Sequence, residues 1–193
     1  MTGQSDPAAH PGDGTMPVVR ANLLALAWLP VSALAVLGPF ILLHGASHLA
    51  ASPPWLPALP VGIALLAAGV LVHELLHAAG FLLVGRAPRP TVRIGFQRRT
   101  LTPFASCRAP VTASAYRAAA LLPAAALGGL PALIAWATGW STPLLWGWLM
   151  LALAGGDFAA VWAMRAVPGG AMVVDHEKLV GCRVVGSGAG VRV

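Results

Sequence analysis

Charged residues are scarce in this chain. They make up 9% of 193 positions, against 58% hydrophobic, whereas a soluble domain carries roughly 25% charged residues. That excludes an ordinary soluble protein and points to an integral membrane protein. Acids are the rarest of all, and Asp6, Asp13, Glu74, Asp157, Asp175 and Glu177 are the whole set. Cysteine is limited to Cys107 and Cys182, without the close spacing of a thiolate metal site. Both fall on the side read below as cytoplasmic, where thiols stay reduced, so no structural disulfide is expected. No cleavable signal peptide is expected: residues 1–17 are polar and rich in Pro and Gly, and the apolar segment after them is long enough to remain as a span.

What the chain has is long apolar runs. Four spans are expected, at about residues 21–44, 60–84, 115–137 and 143–164, each long enough at about 1.5 Å per residue for a hydrocarbon core of about 30 Å. The expected fold is therefore an all-α integral membrane protein. A disordered tail would occupy 1–20, the membrane domain 21–166 with a basic loop at 85–114, and a second tail 167–193. Arg86, Arg89, Arg93, Arg98, Arg99 and Arg108 crowd that loop with Arg117 just beyond it, Arg20 precedes the first span, and Arg165, Lys178, Arg183 and Arg192 follow the last. The two short loops carry neither Lys nor Arg. The positive-inside rule then places both termini and the basic loop in the cytoplasm of a multi-pass cell-membrane protein. The net charge of +6 reads as topology plus attraction to anionic lipid headgroups. Nucleic-acid binding is not expected, because these arginines are interleaved with apolar residues beside a membrane.

The second span contains His73-Glu74-Leu75-Leu76-His77. An ionisable side chain near the bilayer centre costs about 2.5–3.5 kcal/mol, so a group of three calls for a job. On a helix His73 and His77 stand one turn apart, about 40° round the axis, with Glu74 beside them. Two imidazoles so placed grip one metal ion while the carboxylate reaches its water. This is the HExxH pattern of zinc peptidases, with histidine ligands and a glutamate base.

A catalytic zinc usually takes three protein ligands. Only Glu74 and Asp157 among the acids lie within expected spans. His77 precedes Arg86 by nine residues and Asp157 precedes Arg165 by eight, so both sit roughly 12–14 Å from the cytoplasmic ends of their helices. Matching depth makes Asp157 the expected third ligand, with a zinc site between spans two and four. Gly155 and Gly156 would let span four approach span two. Asp175 and His176 in the second tail are the reserve, while His44 and His48 lie on the outer side. Pro123, Gly128, Gly129 and Pro131 should kink span three. The alternation of Val92, Ile94 and Phe96 suggests a short hairpin on which an extended substrate adds as a strand.

The stretches HELLHAAGF (73–81) and LTPFASC (101–107), the Tyr116 to Pro123 start of span three, Gly155-Gly156-Asp157, and Asp175-His176 before Gly181 follow one another in a familiar order. Over about residues 60–185 the chain resembles the zincin-type integral membrane metallopeptidases of bacteria, a compact relative of the site-2 protease group. The resemblance implies Zn2+ as cofactor, His73, His77 and Asp157 as ligands, and Glu74 as catalytic base. Ser106 and Glu177 stand where that family tends to have His and Pro.

The expected function is intramembrane zinc proteolysis of membrane protein or peptide substrates. A different class also fits: a metal-binding membrane protein without hydrolysis, either a divalent-cation carrier or an inactive protease-like adaptor. A carrier path calls for polar residues along its length, and spans one and three have almost none. Four spans give limited shielding, which leaves room for a second copy or a partner subunit.

Overall fold

A computed structural model of the protein describes residues 12–50, 59–97, 102–176 and 178–186. Helix α1 covers Val18–His44 and ends where Gly45, at φ 85°, turns the chain and donates its N–H to the Ile41 carbonyl. Helix α2 covers Leu59–Leu83. Helix α3, Ala113–Pro123, begins at Thr112, whose hydroxyl accepts the Ala115 amide. It continues through a π-helical turn at Ala124–Gly129 into α4, Leu130–Thr138. The irregular turn sits where kinking was expected. The Leu130 amide reaches back five residues to the Ala125 carbonyl, between two prolines that have no N–H to contribute.

Helix α5, Ser141–Leu153, and helix α6, Gly155–Ala163, meet at Ala154 with a bend of 44° across that break. Three helical segments are long and apolar enough to cross a membrane, and four if α5 and α6 form one bent span. Helix α1 keeps large apolar side chains in the open, with Leu34 76% and Leu42 87% exposed. A helix apolar on every face and unburied by its own chain belongs against lipid. The protein is thus membrane-associated and mostly helical.

The all-α expectation needs a correction. Strands β1 (Gly14–Met16), β4 (Val111–Thr112), β5 (Met172–Asp175) and β6 (Val180–Gly186) form one antiparallel sheet in the order β1-β6-β5-β4. Strands β2 (Val92–Gln97) and β3 (Thr102–Cys107) form a separate hairpin. The first tail is therefore not disordered up to residue 20: Gly14 pairs with Cys182, and the Val184 amide donates to Asp13 Oδ1. Most of the 1–20 tail, residues 1–11, lies outside the described residues. The described part of the second tail, up to residue 186, is built into the fold as well, since Val173 and Cys182 are both fully buried. They share a core with Phe81 of α2, Tyr116 of α3 and Met164. Burying such side chains stabilises by about 1.5–3 kcal/mol each, which clamps the sheet onto the helix ends that carry the histidines.

Candidate metal centre

Helix α2 turns His73 and His77 into the protein, 8% and 9% exposed, with Glu74 half-buried beside them. Donor atoms of the three lie within 4.8 Å of one another. The two rings stand edge to face, centroids 4.8 Å apart. Helix α6 brings Asp157 against them: His73 Nε2 is 3.0 Å from Oδ2 and His77 Nε2 is 3.2 Å from Oδ1.

The other nitrogen of His77 is also held. Its Nδ1 lies 3.0 Å from the Ala119 carbonyl of α3. That contact needs N–H on Nδ1, and in the neutral imidazole the lone pair is then on Nε2, the arrangement metal-binding histidines adopt. Gly80 makes the approach possible, because a Cβ there would sit 2.7 Å from Ala119 Cα. Gly155 serves a different neighbour from the one expected. A Cβ at Gly155 would meet Ala25 of α1 at 3.0 Å, and one at Gly156 would meet nothing within 4 Å. Gly155 therefore fits α6 to α1, Gly156 is required by no close neighbour, and it is α3 that packs closely on α2.

The donor set suits zinc. Two imidazole nitrogens and a carboxylate oxygen are borderline ligands of the kind Zn2+ takes, and bonds of about 2.0–2.1 Å in a tetrahedron put ligand atoms about 3.3 Å apart. The histidine–aspartate separations of 3.0 and 3.2 Å are close to that edge. Glu74 is placed differently, its carboxylate facing the backbone N–H of Ala105 in β3.

A cavity of about 90 Å3 opens beside His77 and Asp157, lined also by Ala105, Tyr116 and Asp175. Asp175 uses one oxygen for the Tyr116 hydroxyl, at 2.5 Å, and the other for the Cys107 amide, at 2.7 Å. Burial pushes its pKa above the usual aspartate range, while those two donors pull it down. His176 is occupied locally, its Nδ1 accepting the Lys178 and Leu179 amides in the β5–β6 turn. Glu177 lies outside the described residues. His44 and His48 meet the Trp136 and Gly139 carbonyls at the far end of α4. Cys107 and Cys182 are buried and unbridged. Burial raises both thiols, Cys182 to about 11, which disfavours the thiolate that metal binding needs.

Sequence reasoning did not find Tyr116 or the Ala105 and Cys107 amides as parts of this neighbourhood. Tyr116 is the only tyrosine in the chain, a faint signal that becomes meaningful only beside Asp175.

Residues 66–172 match the protein family "Putative zincin peptidase". The chain belongs to this zincin family. The match takes in more than half of the chain and runs from α2, with its HExxH histidines, through Asp157 to the start of β5. Zincin membership and the His73-Glu74-His77 cluster together indicate a zinc metallopeptidase. No curated protein and no solved structure matches the chain. Asp175 lies beyond the segment matched to the zincin family.

Proposed function

We propose that this chain is an intramembrane zinc metallopeptidase that hydrolyses peptide bonds of membrane-associated protein substrates. One observation carries the reading: from a separate helix, 84 residues downstream of His73, Asp157 sets one carboxylate oxygen against each histidine Nε2. A carboxylate at membrane depth needs such a partner to be tolerated. Under this reading His73, His77 and Asp157 hold the zinc and Glu74 remains free as general base.

Zinc, when bound, supplies Lewis acidity toward a water and toward a carbonyl oxygen. Glu74 takes the proton of the attacking water and returns it to the leaving amine. The Ala105 amide faces Glu74 and favours its carboxylate form. Ala119 keeps His77 in the tautomer that presents Nε2. The outward edge of β3, next to Glu74, offers backbone carbonyls to an extended substrate strand. A helical substrate therefore has to unwind locally before its peptide bond is exposed. The distribution of Arg and Lys supports a cytoplasmic side for both termini and the β2–β3 hairpin.

Glu74→Gln should keep about one zinc per chain and lose cleavage by about 10²–10⁴-fold. Proteolysis that survives this change would end the reading. Movement of zinc across vesicle membranes, undisturbed by Glu74→Gln, would instead support a carrier.

A further inference from the structure

Strand β3 is paired with β2 along one side only, and its other side faces the site. On that free side position 103 is a proline without N–H, so the outward donors are the amides of Ala105 and Cys107. Both are met by carboxylates from outside the hairpin. The Ala105 amide faces Glu74, and Cys107 donates to Asp175 at 2.7 Å. Unpaired edge amides seek partners, and a bond to a carboxylate is stronger than one between neutral groups. The edge is thus held at Cys107, two residues from the amide that faces the residue read above as the base.

Asp175 is well placed to hold its end. It closes β5, an interior strand of the four-stranded sheet, and pairs in register with Cys182. Its second oxygen takes the Tyr116 hydroxyl at 2.5 Å. The Tyr116 ring packs edge to face on Phe81 of α2, centroids 5.5 Å apart. One carboxylate therefore ties the sheet, α3 and the hairpin around the cavity that His77 and Asp157 line.

We propose that Asp175 is a positioning residue of the peptidase site, holding the outer edge of β3, and through it the Ala105 amide on Glu74, in place. This rests on the hydrolytic reading above only for its consequence in catalysis. The hold on β3 is a property of the apposed residues themselves. It also gives Asp175 a use other than zinc ligation.

The test is amide hydrogen exchange on the full chain in detergent micelles, zinc-loaded, with zinc content measured on the same samples. Asp175→Ala should speed exchange at Cys107 by tenfold or more, and at Ala105 too, although the acceptor of Ala105 is untouched. Zinc content should stay at the wild-type level. Asp175→Asn keeps a carbonyl oxygen for the Cys107 amide and should restore slow exchange at both positions. Tyr116→Phe should leave Cys107 slow, and these two milder variants serve if Asp175→Ala fails to fold. Wild-type exchange at Cys107 in Asp175→Ala, acceleration confined to Cys107, or fast exchange in Asp175→Asn would overturn the proposal. So would loss of zinc in Asp175→Ala. A wild-type protein without zinc would end the metallopeptidase reading, while the exchange data would still judge the hold on β3.

Discussion

His77 and Asp157 face one another from different helices, Nε2 to Oδ1 at 3.2 Å, while the back of the same imidazole meets the Ala119 carbonyl at 3.0 Å. The ring is thus held from both ends. Its orientation is decided before any metal or substrate arrives, and that preorganisation is what a ligand needs.

The back contact depends on Gly80. Any side chain there collides with the Ala119 backbone, the shortest approach being 2.7 Å. Gly80→Val should force α3 away from α2, destabilise the protein by about 1–3 kcal/mol and weaken zinc binding by about 10–100-fold. Thermal unfolding in detergent and zinc titration check the two effects separately.

Arg117 closes the other side of the bundle, its guanidinium donating to the carbonyls of Met164 and Val167 at the end of the α6 segment. The Met164 carbonyl also accepts the Val167 amide, so the guanidinium completes the end of the helical segment. Arg117→Ala should cost roughly 2 kcal/mol, since bonds from a charged donor contribute about 1.5–3 kcal/mol. Arg117→Lys, with a single point charge in place of a fork, should recover only part of it. Chemical or thermal denaturation of the three proteins in one detergent measures the order.

Cys182 predicts a pH dependence. The buried thiol ionises near about 11 against 9.0 for its ordinary value. Between those values the unfolded chain has already released the proton that the folded chain still binds, so stability falls as pH rises through that window. Cys182→Ala should flatten the fall in melting temperature measured from pH 8 to pH 11. At pH 8 the thiol of the folded protein should resist alkylation that is rapid after denaturation in SDS.

The apolar helices were legible because hydropathy over twenty or more residues is a strong signal, and the observed Val18–His44 and Leu59–Leu83 differ from expectation by a few residues at their ends. The His73–His77 spacing was legible because helical geometry converts sequence interval into angle, and Asp157 because charge at membrane depth is conspicuous. The sheet was not. Gly14–Met16 and Val180–Gly186 are short, and their pairing joins residues more than 160 apart, a contact that no local pattern encodes. For the same reason Asp175 read as a tail residue or a spare ligand, whereas its partners, Tyr116 and the Cys107 amide, come from elements brought together only by folding. Gly155 advertised a close approach correctly but not its neighbour, which is Ala25 of α1.

The central claim is that His73, His77 and Asp157 together hold one zinc, and elemental analysis of detergent-purified protein tests it most directly. Wild type should carry about one zinc per chain, with Asp157→Ala and His77→Ala each losing it while remaining folded. A folded wild type without zinc, or an Asp157→Ala variant that keeps its full zinc, would contradict the account.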